Sequence, residues 1–219
     1  AERQIYQIRA GSSSNALTSI SDVIVDALAH LQEIGGPNRD RYLGIPTGFT
    51  YLDMMLTGLG RSDLIILAAR PGMGKTSFAL NILTNIAKRQ NLGVAMFSLE
   101  MTKDQLVNRI LSGEAAIHSQ AFRTGNLTDA NWTDLVRASE VLAKTNIFLD
   151  DTSQITVAEM KAKIQRINQD PHKGNIDVVI IDYLQLMSTG RRTENRVQEI
   201  SEITRNLKIM AKELNVPIL

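Results

Sequence analysis

Four side chains in this sequence have the type and spacing for phosphate chemistry: Lys75, Thr76, Glu100 and Asp182. Lys75 and Thr76 follow an apolar run, Leu64 to Ala69, and a turn holding Pro71, Gly72 and Gly74. A buried strand, a glycine turn and an amphipathic helix in that order make a phosphate-binding loop. Small residues let successive backbone N–H groups curl around phosphate oxygens, and the helix N-terminus adds about half a positive charge. The candidate cradle is Arg70, Pro71, Gly72, Met73, Gly74, Lys75, Thr76 and Ser77. In it Lys75 reaches the β- and γ-phosphates and Thr76 ligates magnesium. The strict pattern GxxxxGK[ST] is broken at its first position by Ala69, which asks only that the strand exit need no positive φ.

The two acids stand at predicted strand ends. Asp182 follows VVII, four apolar residues and then a carboxylate, a form suited to holding magnesium directly or through water. Glu100 closes FSLE, where its carboxylate orients and deprotonates the water that attacks the γ-phosphate. Ligands of doubly wound sheets sit at the carboxyl ends of strands, so both acids are placed for one site. Asp150 and Asp151 precede a Thr-Ser turn and read as solvated turn residues. His30, His118 and His172 lack ligand spacing, so no metal other than nucleotide magnesium is expected.

The elements that must position these residues are legible as periodicity. Strands are expected at Leu64 to Ala69, Val94 to Leu99, Ile147 to Leu149 and Asp177 to Leu186, with a fifth opening at Val216. Between them run helices, two of them opened by capping boxes at Thr102/Gln105 and Thr156/Glu159, with Thr128 capping a third. The last helix, from Arg196, carries Val197, Ile200, Ile203, Leu207, Met210 and Leu214 inward. Apolar strands alternating with helices predict an α/β domain with a mostly parallel twisted sheet covered on both faces. Ahead of it, Ser19 to Ile34 form an amphipathic helix, preceded by a GSSS linker and by Ile5 and Ile8, which read as a short docking stripe. Residues 1–40 are thus a helical linker segment and 41–219 the nucleotide-binding domain.

Composition sets the outer limits. The 219 residues, 43% hydrophobic, are enough for one sizeable core. Lys plus Arg number 24 against 23 Asp plus Glu, so nucleic-acid contact has to come from a local patch. The basic cluster on a predicted mobile loop, Met187 to Asn195, is Arg191 and Arg192, with Arg196 just beyond. Cysteine is absent, which excludes disulfides and thiolate metal sites. No run of about 18 apolar residues and no signal-peptide core are present, so a soluble, cytoplasmic protein away from membranes is expected.

Seven separated stretches, GIPTGFTYLD, ILAARPGMGKTSFALN, FSLEM, RTGNLTD, VVIIDYLQLM, ENRVQEISEITRNLK and AKELNVPI, together resemble the C-terminal motor domain of the DnaB family of bacterial replicative DNA helicases, within the RecA-like P-loop NTPases. The resemblance runs from Gly44 to Leu219, and Ala1 to Pro37 is similar to that family's linker helix and connecting segment. It implies a ring-shaped homo-hexamer, joined through the linker helix and the ATPase interface, that encircles single-stranded DNA. It implies 5′ to 3′ movement driven by ATP and Mg2+, and primase and a helicase loader as partners. Lys75 and Thr76 match the Walker A residues, Asp182 the Walker B aspartate, Glu100 the catalytic glutamate, and 188–196 a channel loop. The alternative is a RecA-like scaffold or recombination-type filament that uses ATP without unwinding.

Overall fold

The computed structural model describes residues 17, 19–36, 43–188 and 195–219, in two compact units, Ala1–Leu43 and Gly44–Leu219. Ile5 and Ile8 and the GSSS stretch lie outside the described residues. The first unit contributes α1 (Ile20–Ile34), one residue shorter than periodicity predicts. Its apolar stripe, Ile20, Val23, Ile24, Leu28 and Leu31, is exposed. A single 15-residue helix is marginal alone, because nucleation is costly and its stability comes from packing.

The second unit begins with a clasp. Ile45 and Leu59 form an antiparallel bridge that closes the segment carrying α2 (Thr50–Leu56), where turn signals had masked a helix. After α2 come α3 (Lys75–Gln90), β1 (Gly93–Ser98), α4 (Lys103–Glu114), α5 (Ser119–Thr124), α6 (Asp129–Leu142), β2 (Ile147–Asp150), α7 (Val157–Asn168), β3 (Ile176–Asp182), a 3-10 turn (Leu184–Leu186) and α8 (Arg196–Leu214). The strands are parallel in the order β2-β1-β3, with Met96 level with Leu149 on one side and Ile180 on the other.

Alternation along the strands feeds two cores. Val94 and Met96 of β1, with Val178 and Ile180 of β3, pack beneath Ile82, Leu83 and Ile86 of α3 and Leu106 of α4. On the other face Ala95, Phe97 and Val179 meet Met160 and Ile164 of α7 and Ile203 and Leu207 of α8. Side chains of period two and apolar residues at every position are what a parallel strand needs when both its faces are covered.

Two expected strands are only partly realised. Ile218 bridges in parallel to both Val179 and Leu64, so the 216–219 stretch lies between β3 and the segment that leads to the glycine loop. The Ile65 amide donates to the Ile218 carbonyl (2.8 Å), and the Ile181 amide to that of Leu219 (2.8 Å). The 66–69 stretch has no strand pairing among the described residues and lines a cleft of about 160 Å³ bounded across by Ile180 to Gln185. The Asp177–Leu186 expectation is corrected similarly: β3 stops at Asp182, where its partner β1 also ends, and Tyr183 turns into the 3-10 helix.

The helix starts hold as read. Thr102, Thr128 and Thr156 each cap, in full capping boxes with Gln105, Asn131 and Glu159. Accepting from the Thr156 amide and hydroxyl holds the Glu159 carboxyl below its usual range. Three expectations fail. Val197 is 72% exposed, on the opposite side of the first turn of α8 from the buried Glu199. Met187, expected to open a mobile loop, lies outside helix and strand as read but is buried at 1% instead of solvated. Asp150 and Asp151 are not free turn residues but pair with Lys163 (2.5 Å) and Lys103 (3.0 Å). Burial pushes the Asp150 carboxyl up, yet the Lys163 ammonium and the Thr152 amide outweigh it and leave the group below its usual range.

Candidate functional site

The extended run Leu64 to Ala69 delivers the chain to a turn in which the Met73 amide donates to the Arg70 carbonyl (3.2 Å). Gly72 and Gly74 have φ of 80° and 86°, a region costly for residues with a Cβ. A Cβ at either glycine would meet nothing within 4 Å, so backbone conformation, not crowding, requires glycine there. The space above the loop is open. Helix α3 begins at Lys75 with Gly74 as its N-cap and no side-chain cap. The first i→i−4 bond runs from the Phe78 amide to the Gly74 carbonyl (2.9 Å), so the Lys75, Thr76 and Ser77 amides precede it and carry the positive end of the helix dipole. An open, uncapped helix start behind two positive-φ glycines has the donors and the room to cradle phosphate oxygens.

The acid from β3 meets this loop. The Thr76 hydroxyl donates to Asp182 Oδ2 at 2.6 Å, and Lys75 Nζ lies 3.4 Å from Asp182 Oδ1. Asp182 is 3% exposed, and a buried carboxylate requires such partners. Hydroxyl and carboxylate oxygens side by side are the hard donors a magnesium ion prefers, and the residues present fit that ion.

Glu100 reaches the same end of the sheet along β1. Ser98, level with Asp182 in the ladder, donates its hydroxyl to the Met101 carbonyl (2.8 Å) and accepts from the Met101 amide (3.0 Å). That closes a turn around Leu99 and Glu100, and the Leu99 amide donates to the Asp182 carbonyl (2.8 Å). Glu100 therefore stands one residue past the Asp182 backbone, exposed. Among the described residues no hydrogen bond or ion pair engages its carboxylate.

The structure thus brings Lys75, Thr76 and Asp182 into contact, sets Glu100 on the adjoining strand end, and leaves Arg70, Pro71, Met73 and Ser77 exposed around the loop. It does not leave Arg196 free. Its guanidinium is bonded to the Glu199 carboxylate and to the carbonyls of Gln185 and Met187, which ties the 3-10 turn to the start of α8. Arg191 and Arg192 lie outside the described residues. Among the described residues no group of three or more His, Asp or Glu is placed to hold another metal.

Two supports were missed in the sequence. The Tyr183 ring lies under Lys75, its centroid 3.9 Å from Nζ. Asp53 of α2 accepts from the Thr47 amide (2.7 Å) and hydroxyl (2.6 Å) and from the Gly48 amide (3.1 Å), while Asn85 of α3 donates to the Thr47 carbonyl (3.2 Å). The Pro46-Thr47-Gly48 turn is thereby fastened to α3. An Asp in the first turn of a helix after such a turn is a capping signal that could have located α2.

The DnaB-like helicase C terminal domain family matches residues 44–219, the whole second unit. The chain belongs to that family. It is 46% identical to the replicative DNA helicase DnaB of Geobacillus stearothermophilus and 45% identical to the replicative DNA helicase DnaC of Bacillus subtilis, each alignment covering 100% of this chain and 48% of the relative. The chain therefore spans about half the length of the curated relatives it matches. A solved DnaB-like replicative helicase, described with its interactions with primase, superimposes with a TM-score of 0.80 at 31% identity, over 100% of this chain and 51% of that one. A second solved structure, described as an ATPase domain, gives 0.82 at 32% identity, over 93% and 70%. The α/β class of the DnaB-like domain is RecA-like, and the recombination-type filament alternative is not favoured.

Proposed function

We propose that the chain is the motor portion of a replicative DNA helicase, in which ATP hydrolysis drives movement along single-stranded DNA and unwinding. The observation that carries this reading is the contact of Lys75 and Thr76, at the start of α3, with the buried Asp182 at the end of β3. The loop amides and the Lys75 ammonium hold the β- and γ-phosphates. Thr76 and Asp182 hold Mg2+, which supplies charge neutralisation on the phosphate oxygens. Glu100 accepts a proton from water as the water oxygen bonds to the γ-phosphorus and the bond to the ADP oxygen breaks.

The linker residues 1–40 and the motor residues 41–219 serve different purposes in this reading. The exposed stripe of α1 packs on a second copy, and repeated around a closed symmetry the contact makes a ring hexamer. Primase and a helicase loader are the protein partners, and the compartment is the cytoplasm. Among the described residues no helix is long and apolar enough to cross a membrane.

DNA contact falls to Arg191 and Arg192, whereas Arg196 acts on its own chain. In the full-length protein, Arg191→Ala and Arg192→Ala weaken binding to every single strand alike and reduce the salt slope by about 0.7 per contact. Arg196→Ala lowers the urea midpoint instead, by about 1–2 kcal/mol in stability for its lost hydrogen bonds, and keeps the salt slope. Titrating a fluorescent oligothymidine at several salt concentrations reads all three. Unchanged affinity and slope in Arg191→Ala and Arg192→Ala would remove these residues from the DNA interface.

A further inference from the structure

We propose that Tyr183 is a positioning residue for the hydrolysis reaction, its ring face fixing the Lys75 ammonium beneath the phosphate cradle. The proposal rests on the nucleotide-binding reading of the site. Lys75 Nζ sits 3.9 Å from the centre of the ring, within the range in which the aromatic quadrupole attracts a cation. Its side chain is 27% exposed, so the attraction operates partly shielded from water.

Asp182 cannot do this positioning alone. One of its oxygens accepts from Thr76, and Lys75 stands 3.4 Å from the other, longer than the roughly 2.7–2.9 Å of a tight charge-assisted hydrogen bond. A carboxylate that drew the ammonium fully onto itself would also take up its N–H groups. A ring face attracts the charge without accepting a conventional hydrogen bond. The three N–H donors of Lys75 stay free to turn toward phosphate oxygens.

The backbone makes the ring a firm support. Tyr183 follows Asp182 directly, and its carbonyl accepts from the Leu186 amide (3.1 Å) in the first turn of the 3-10 helix. Asp182 and the ring are therefore presented by one short, hydrogen-bonded stretch. Among the described residues no hydrogen bond engages the Tyr183 hydroxyl, so the face of the ring and not its oxygen carries the function.

Fluorination separates this role from simple packing, since it drains the ring quadrupole while nearly preserving ring shape. In the full-length protein, position 183 is replaced by Phe and by mono-, di-, tri- and pentafluorophenylalanine, and steady-state MgATP turnover and thermal midpoint are measured for each. Tyr183→Phe keeps kcat within about twofold, and kcat then falls stepwise with fluorination to about one-tenth at the pentafluoro ring, with a smaller change in KM. Tyr183→Leu falls as far as the pentafluoro variant. A kcat that is flat across the fluorinated series, or that drops as much in Tyr183→Phe as in Tyr183→Leu, overturns the proposal. If the wild-type protein does not turn over MgATP, the nucleotide reading has failed and this one falls with it.

Discussion

Lys75→Ala in the full-length protein loses ATP turnover by at least about 10²- to 10³-fold and still folds, because the ammonium acts on charge that develops in the transition state. Retention of the fold follows from where Lys75 sits. It opens α3, its side chain is partly solvated, and Ala is the better helix former. Asp182 loses one partner but keeps the Thr76 hydroxyl, so the stability cost is confined to the site. Turnover measured alongside far-UV circular dichroism decides the matter. Near-normal hydrolysis in a folded mutant would remove Lys75 from the mechanism.

Glu100 and Asp182 are both acids at strand ends, and the proposed mechanism gives them different work. Asp182 is buried and bonded to Thr76, whereas Glu100 is exposed and has no described partner. Glu100→Gln therefore keeps magnesium-dependent nucleotide affinity and lowers turnover by about 10²- to 10⁴-fold, the usual contribution of a general base. Asp182→Asn weakens magnesium-dependent affinity as well, because an amide is a poorer ligand for a hard cation. Binding of a fluorescent nucleotide with and without magnesium, beside turnover, separates the two. Equal loss of affinity in both mutants contradicts this division.

Much of this was legible because it rests on local rules. Three Thr residues followed by Gln, Asn or Glu three positions on became capped helix starts, and three apolar runs became the paired parallel strands. The glycine loop and Asp182 were readable for the same reason: their spacing relative to strand and helix starts is local. What escaped depends on neighbours distant in sequence. Leu64 to Ala69 is as apolar as β1, but the residue it bridges to, Ile218, lies far along the sequence, and that pairing is visible only once the chain is folded. Arg196 has the sequence appearance of a loop cation, and only the fold brings the Gln185 and Met187 carbonyls to it. Tyr183 is an ordinary aromatic after an acid until folding carries Lys75, from far earlier in the chain, over its face.

The central claim is that nucleotide turnover at Lys75, Thr76, Asp182 and Glu100 drives movement along one DNA strand. Strand displacement from a forked duplex by the full-length protein tests it most directly, with tails of either polarity and with hydrolysable or non-hydrolysable ATP. The expected result is displacement only with a 5′ single-stranded tail and hydrolysable ATP, lost in Lys75→Ala. DNA binding and normal ATP turnover without displacement on either substrate would contradict the motor and leave a nucleotide-dependent DNA scaffold.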